Sequence, residues 1–243
     1  MTTHYQNIYQ INQVNIEFVA ENAVLLTWPE VIEPEQHQQI ILIEQAIKQH
    51  FSCVILESIT SYNSLILYYQ FQKITQTQLV EQLTTLININ HKLDNSINNT
   101  IIEIPVYYGE EAGWDLRSLA GEKNISIEEI IHLHCSRQYR AYALGFTPGF
   151  CYLASLVPQL VLPRKAKPRI KVPTGAVAIA EQQTAVYPSE SPGGWHIIGQ
   201  TPKAMFSMTK GIFTPTITVG DTVVFKAIDK TMFEHLGGEI THE

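Results

Sequence analysis

Hydrophobic residues in the first 90 positions recur with two periods, which predict strands and helices. Four segments alternate or run apolar as strands do: 14–18, 23–28, 53–58 and 65–69. Between residues 35 and 51 apolar side chains recur at helical spacing, which predicts an amphipathic helix. A second helix is predicted from Thr75, because Thr75 and Gln78 have the spacing of a capping box. The predicted order is ββαββα, a small α+β domain.

A polar, asparagine-rich segment interrupts this pattern between residues 88 and 100. Its asparagines are Asn88, Asn90, Asn95, Asn98 and Asn99. The segment has no apolar period that would hold it in a core, so we place a domain boundary there. The predicted domains are residues 1–92 and 100–243.

The second domain is predicted to be mainly β. Short β-like runs separated by glycine and proline occur at 101–108, 139–144, 176–180, 185–187, 196–199 and 222–228. A capping box of Ser126 and Glu129 opens a helix over 126–135, and a shorter helix is predicted at 229–236. This pattern of short strands indicates a barrel or sandwich. Together with the first domain, the predicted fold class is α+β.

Composition narrows the classes of partner. The 243 residues carry a net charge of −7, which disfavours binding to nucleic acid or to an anionic membrane. No apolar run reaches the roughly 20 residues of a membrane helix, and the first residues lack the pattern of a secretory signal. Cys53, Cys135 and Cys151 form no C-x-x-C pair, which argues against disulfides and a zinc site. We expect a cytoplasmic protein with no metal.

Two loops rich in glycine and proline are candidate pocket walls. They lie at 145–150 (GFTPGF) and 191–195 (SPGGW). Glycine lets the backbone approach a ligand, and proline fixes a loop in advance; either loop could instead be a tight turn at a barrel rim. Phe146, Phe150 and Trp195 lie in these loops, so we expect an exposed aromatic patch that a partner covers.

A basic run at 164–171 (RKAKPRIK) is the exception to the acidic balance. In an extended conformation Lys165, Lys167, Arg169 and Lys171 would share one face. Such a face could bind a carboxylate or phosphate, or it could be a solvated edge. Because arginine offers a planar fork, Arg169 is the site candidate and the lysines are expected to be surface residues.

His134 lies near the end of the predicted helix. It could cap the helix dipole as a cation or act as a general acid or base. His132 and His134 point about 200° apart on a helix, so they cannot chelate one metal ion.

Other catalytic motifs are missing from the sequence. Ser189 and Ser191 are not in a G-x-S-x-G elbow, and no G-x-x-x-x-G-K-[ST] phosphate loop occurs. If ATP is used, its main phosphate cradle is expected on a partner chain.

The motifs together resemble those of a known family. They are GFTPGF at 145–150, PR at 163–164 and 168–169, VPTG at 172–175, QT at 183–184, YP at 187–188, SPGGW at 191–195 and TP at 201–202. In order and spacing they resemble the kinase-inhibitor family, which is also known as allophanate hydrolase subunit 1 and includes the B subunit of 5-oxoprolinase.

The resemblance implies a small α+β domain followed by a cyclophilin-like β-barrel. It also implies work in a tight heteromer with a homologous C subunit, together with an A subunit, in ATP-dependent opening of 5-oxo-L-proline to L-glutamate. ATP would serve the complex without being bound by this chain alone, and no organic cofactor is indicated. Alternatives within the family are inhibition of a sensor histidine kinase and the carboxyltransferase-like half of a urea- or allophanate-degrading enzyme.

Combining motifs and resemblance gives a set of candidate site residues. The catalytic candidates are His134 and Arg169, with Arg169 pairing the substrate carboxylate. Gln183 and Thr184 are expected to hydrogen-bond the lactam. The substrate-binding candidates are Phe146, Pro148, Phe150, Gln183, Thr184, Tyr187, Ser191, Gly193, Gly194 and Trp195.

Overall fold

The structure is a computed structural model that describes residues 8–11, 13–90 and 100–241. The chain divides into two compact units, Met1–Asn98 and Asn99–Glu243. Most of the asparagine-rich segment predicted as the boundary lies outside the described residues.

The first unit is a five-stranded antiparallel sheet with two helices. Its elements are β1 (Ile8–Ile11), β2 (Val14–Ala20), β3 (Ala23–Thr27), α1 (Pro34–His50), β4 (Ile55–Thr60), β5 (Ser64–Tyr69) and α2 (Gln76–Asn90). The strand order is β1-β2-β3-β5-β4. Ile40, Ile43 and Ile47 of α1 are buried with the inward side chains of the strands, as the helical period predicts.

Local signals predicted most of this unit. The predicted capping box is present, since the Thr75 backbone N–H donates to Gln78 Oε1 at 3.1 Å and the Gln78 N–H donates to Thr75 Oγ1 at 3.3 Å. The edge strand β1 was not predicted. Its short segment is only partly buried, so its hydrophobic period is weak.

The second unit is built around a closed barrel of seven strands. The elements in chain order are β6 (Ile101–Tyr107), α3 (Leu116–Lys123), α4 (Ile127–Cys135), β7 (Gln138–Leu144), β8 (Cys151–Ala154), β9 (Arg169–Val172), β10 (Ala176–Ala180), β11 (Gln183–Val186), β12 (Ser191–Gly193), β13 (His196–Gln200), β14 (Phe206–Thr209), β15 (Ile212–Pro215), β16 (Thr222–Ile228) and α5 (Lys230–His235). The barrel order is β10-β11-β8-β7-β16-β6-β13. This confirms the predicted α+β class with a barrel.

The strand pairs of the barrel are antiparallel except for β16 with β6, which are parallel. The strands β9 and β12 form a separate two-stranded ribbon, and β14 with β15 form another. Ser126 is the N-cap of α4 as predicted, because its Oγ accepts from the Glu129 N–H at 3.1 Å.

The strand β10 separates two hydrophobic layers. Its sequence AVAIA is buried throughout. Val177 and Ile179 belong to the larger core cluster, whereas Ala176, Ala178 and Ala180 belong to a second cluster that also contains Val172 of β9. Successive side chains of a strand point to opposite faces, so both faces of β10 are covered. The second layer, next to the β9/β12 ribbon, is where the candidate site lies.

Among the described residues, no helix is long and apolar enough to cross a membrane.

Candidate functional site

A surface cavity of about 430 Å³ lies beside the β9/β12 ribbon. Its wall includes Trp114, Arg169, Lys171 and Glu190, and we call it the Arg169 cavity. Ile170, whose side chain is 86% exposed, lies at its edge. The wall therefore combines an indole, two cations, one carboxylate and an exposed aliphatic side chain.

The strand β9 carries the basic side chains of this wall. It pairs antiparallel with β12, in a register that places Gly193 opposite Arg169 and Ser191 opposite Val172. Pro168 precedes the strand, a position that suits a residue unable to donate to a ladder. The ribbon thus brings together the basic run and the SPGGW loop.

Asp115 is the buried centre of the ionic contacts here. The Arg169 guanidinium donates to both of its oxygens, from Nη1 to Oδ2 at 2.8 Å and from Nη2 to Oδ1 at 3.1 Å. Lys165 Nζ donates to Oδ1 at 2.6 Å. Burial opposes ionisation of the carboxyl, but the hydrogen bonds from Arg169 and Lys165 outweigh it and hold the pKa of Asp115 below its ordinary value. Asp115 is therefore a carboxylate at neutral pH.

The Asp115 side chain is fixed to the barrel by strand β13. The Ile197 N–H donates to Asp115 Oδ2 at 2.7 Å, and the Asp115 N–H donates to the Ile197 carbonyl at 2.9 Å. Gly113 allows this approach, since a Cβ there would lie 2.5 Å from the Ile198 carbonyl oxygen. The loop before α3 is thereby held against the barrel wall.

The basic run does not form the single face that the sequence predicts. The chain bends at 166–167, which ends the extended alternation before β9 begins. Lys165 is bound to buried Asp115, so the expectation that it is a solvated surface lysine is wrong. Lys167 is exposed, and Lys171 pairs with Glu190 at 3.0 Å on the surface. Arg169 itself is 12% exposed and lies 5.3 Å from the centre of the Trp114 ring.

The aromatic side chains form a packed cluster instead of an exposed patch. The aromatic cluster consists of Phe146, Phe150, Tyr152, Tyr187 and Trp195. Phe150 is 2% exposed and Trp195 is 5% exposed, so the predicted patch is wrong for both. Only Phe146, of the three residues predicted to form it, is exposed. Edge-to-face contacts, such as Phe150 with Trp195 at 5.8 Å, bury these side chains. Their positions in glycine- and proline-rich segments had suggested exposure.

The glycines of the SPGGW loop have different surroundings. A Cβ on Gly193 would lie 2.2 Å from the Tyr187 hydroxyl oxygen, whereas the nearest atom to one on Gly194 is 3.6 Å away. Burial raises the pKa of Tyr187 to about 12, so this hydroxyl is neutral. Gly193 is therefore required for close packing. The Ser191 hydroxyl is buried without a hydrogen-bond partner among the described residues.

His134 lies in the barrel interior, fully buried. Burial lowers the pKa of His134 to about 3, so the side chain is neutral and the expectation of a cationic helix cap is wrong. Its Nε2 lies 2.9 Å from Thr184 Oγ1, and its Nδ1 lies 2.8 Å from the Tyr108 hydroxyl.

The protons of this network can be assigned. Thr184 donates to the Ala178 carbonyl at 3.1 Å, so it accepts from His134 Nε2–H. His134 Nδ1 then accepts from Tyr108, whose hydroxyl in turn accepts from Cys135. Every polar hydrogen of this network is used inside the barrel. The structure therefore places His134 and Thr184 in a core network and not at the Arg169 cavity, and this position does not support a lactam contact by Thr184.

The remaining candidates are spread around the second unit. Gln183 is partly buried on β11, and Pro148 is exposed in the GFTPGF loop. The structure thus brings Arg169, Ser191 and Gly193 together on the ribbon, with Gly194 directly after it and Phe150, Tyr187 and Trp195 packed in the layer behind it. Within residues 8–11, 13–90 and 100–241, no group of His, Cys, Asp or Glu side chains could hold a metal ion.

Sequence reasoning missed Trp114 and Asp115. An aspartate directly before the helical residues Leu116–Lys123 is a typical N-cap signal, yet its side chain makes no capping hydrogen bond. Its partner Arg169 is 54 positions away, a separation that no local pattern reveals.

Comparison with known proteins decides the family. Residues 14–215 match the family model described as carboxyltransferase domain, subdomain C and D. The 5-oxoprolinase B subunit of Bacillus subtilis (strain 168) is 31% identical over 245 residues, covering 95% of each chain. The chain belongs to the 5-oxoprolinase B-subunit family. This confirms the resemblance carried by the sequence motifs.

Solved structures extend the comparison. The crystal structure of TTHA0988 has a TM-score of 0.73 and 33% identity, covering 85% of this chain and 40% of that longer chain. The K. lactis urea amidolyase has a TM-score of 0.72 at 16% identity, covering 95% of this chain and 16% of that chain. The second likeness shows the fold alone. The 5-oxoprolinase B-subunit family therefore shares its carboxyltransferase-like fold with parts of much longer proteins.

Proposed function

We propose that this chain is the B subunit of an ATP-dependent 5-oxoprolinase and that its Arg169 cavity holds 5-oxo-L-proline. The observation that carries the proposal is a cationic, indole-walled cavity in a chain whose B. subtilis relative is named as that subunit. The volume of about 430 Å³ lies within the range of about 300 to 1,000 Å³ that small-molecule sites occupy.

The wall chemistry fits a small cyclic carboxylate. Arg169 supplies positive charge for the substrate carboxylate, and the Trp114 indole offers a flat apolar surface for the ring. The side chain of Ile170, exposed at the edge, offers apolar area that a partner chain would cover. Covering it would exclude water from a reactive intermediate.

Activation of the lactam carbonyl is proposed to take place on partner chains. A lactam carbonyl is a poor electrophile, and transfer of a phosphoryl group from ATP to its oxygen would create a leaving group. This sequence has no recognisable phosphate loop, so we propose that an A subunit or a homologous C subunit supplies the phosphate site. In this division the present chain binds and orients the substrate carboxylate, and His134 is a structural group of the core.

Reconstitution tests this proposal. The chain should be purified alone and together with co-expressed A and C subunits, and glutamate formation from 5-oxoproline and ATP should be measured for each. We expect neither ATP hydrolysis nor ring opening by the single chain and both activities in the complex. Turnover by the pure single chain, or an active complex that lacks it, would refute the proposal.

A further inference from the structure

The segment that follows α5 forms part of the wall of the Arg169 cavity. Thr241 lines the cavity together with Trp114 and Arg169. Its backbone carbonyl accepts a hydrogen bond from the Trp114 Nε1–H at 3.1 Å, between residues that are 127 positions apart. We call residues 237–241 the α5 strap. The strap therefore contacts the indole to which the proposed function assigns the substrate ring.

The turn after α5 sets the direction of the strap. The Gly237 N–H donates to the Glu234 carbonyl at 2.9 Å, and the Gly238 N–H donates to the Phe233 carbonyl at 2.9 Å. These two bonds form a Schellman motif, which ends a helix on a left-handed residue. Gly237 takes that conformation, with a φ of +84°. A Cβ on Gly238 would lie 2.5 Å from the buried Phe233 ring, so the start of the strap is closely packed.

The Trp114 indole is held at its polar edge and at its face. Its Nε1–H is shared between the Thr241 carbonyl and the Glu111 carbonyl, each at 3.1 Å. Glu111 is tied to α5 in turn, because its Oε1 accepts from Lys230 Nζ at 3.2 Å. The Arg169 guanidinium lies over the ring, 5.3 Å from its centre. The strap and α5 thus support one side of the indole, and Arg169 supports its face.

We infer that Thr241 is a positioning residue: its backbone carbonyl holds the Trp114 indole so that the Arg169 cavity is shaped for a small ring before the ligand arrives. The inference deepens the proposed function and rests on it for the identity of the ligand. An indole that is already ordered loses no rotamer freedom on binding, whereas a mobile one has to be fixed at the expense of affinity. Affinity at the cavity should therefore depend on the direction of the strap.

Gly237→Val in the full-length chain disturbs the strap without filling the cavity. A Cβ at this position would meet no atom within 4 Å, so the change acts through the left-handed backbone, which a β-branched residue disfavours. The matched control is Gly211→Val, in the turn between β14 and β15. Gly211 has a φ of +79° and equally open surroundings. Both variants strain the backbone in the same way, but only one redirects the strap.

Two measurements follow the position of the indole. Trp28 and Trp195 are buried, so acrylamide quenching of tryptophan fluorescence reports chiefly on Trp114 and needs no ligand. We expect the quenching constant to rise in Gly237→Val and to keep its wild-type value in Gly211→Val. Affinity for 5-oxoproline, measured by calorimetry, should fall by roughly two- to tenfold in Gly237→Val alone, the loss expected for one hydrogen bond.

Trp114→Phe tests whether the strap acts through the indole N–H. This variant keeps a flat ring and loses the donor, so it should weaken 5-oxoproline binding by at least the same factor. Adding Gly237→Val to it should cause no further loss, because the hydrogen bond is already absent. Additive losses would show that the strap acts elsewhere and would overturn the inference.

The outcomes separate this inference from the proposed function. An inactive reconstituted complex with raised quenching in Gly237→Val would refute the 5-oxoprolinase proposal and leave the role of Thr241 standing. An active complex with unchanged quenching, or unchanged affinity, in folded Gly237→Val would refute the role of Thr241 alone. If circular dichroism shows that this variant does not fold, Gly237→Ala, a milder form of the same change, replaces it in both measurements.

Discussion

At the scale of single residues, His134 shows how burial can reverse an expectation from sequence. A histidine near a helix end suggests a cation or a proton-transfer group, yet this one is a neutral member of a core network. The sequence reveals the residue type and the helix. The low dielectric around the imidazole depends on Tyr139 and Phe225, which belong to strands β7 and β16.

The lowered pKa of His134 makes a pH-dependent contribution to stability. The ordinary pKa is 6.5 and the folded-state pKa is about 3, so the unfolded chain binds more protons between these values. Stability from this group is complete above about pH 6.5 and is lost as the pH falls. Between pH 7 and pH 5 the loss should be roughly 2 kcal/mol.

Urea denaturation at pH 7 and pH 5 measures this loss. In His134→Gln the pH-dependent difference should be smaller than in wild type by roughly the same 2 kcal/mol, although the variant is less stable overall. His132→Gln, an exposed residue on the same helix, should keep the wild-type difference. Identical differences in wild type and His134→Gln would contradict the assignment.

Lys165 and Lys167 should differ in stability although they are two positions apart. Lys165 donates to a buried carboxylate, and removing it leaves Asp115 with one fewer charged partner. We expect Lys165→Ala to lower the free energy of unfolding by about 1 to 3 kcal/mol, and Lys167→Ala to change it by about 0.5 kcal/mol or less. Thermal unfolding of both variants measures this; equal losses would count against the Asp115 contact.

At the scale of elements, the sequence predicted what local chemistry determines. The Thr75/Gln78 capping box, the Ser126 N-cap and the starts of α2 and α4 were predicted correctly, since the partners are three residues apart. The β9/β12 ribbon was not predicted as a ribbon, because its strands are three to four residues long and their register is set by distant packing. The candidate site lies on this ribbon, which is why only Arg169 and the SPGGW loop could be anticipated.

Gly193 at the end of β12 and Gly194 directly after it give a prediction at this scale. Gly193→Ala places a methyl group within 2.2 Å of the buried Tyr187 hydroxyl, so the ribbon or Tyr187 must move. This should destabilise the chain by about 1 to 3 kcal/mol. Gly194→Ala has ordinary contacts at 3.6 Å or more and should be nearly neutral. Urea denaturation of both variants measures these changes in stability. An unchanged free energy of unfolding in Gly193→Ala would show that this packing is loose.

At the scale of the whole molecule, two compact units carry separate cores. The asparagine-rich segment gave the predicted boundary, and the hydrophobic periods on either side of it predicted the two classes, because period reports directly on which faces are buried. The periods could not predict the ionic centre, since Lys165 and Arg169 lie 50 and 54 positions from Asp115. The proposed dependence on other subunits follows from the catalytic motifs that this sequence lacks and from the family to which it belongs.

Glutamate formation by the reconstituted complex with Arg169→Ala in this chain tests whether the Arg169 cavity binds the substrate. Removing one member of a desolvated charge pair should cost about 2 to 5 kcal/mol, which is well over tenfold in kcat/KM for 5-oxoproline. Lys167→Ala, in the same basic run, is the control and should keep nearly full activity. Circular dichroism must show both variants folded. We predict a strong loss with Arg169→Ala alone; a normal rate with folded Arg169→Ala would show that the Arg169 cavity does not bind the substrate.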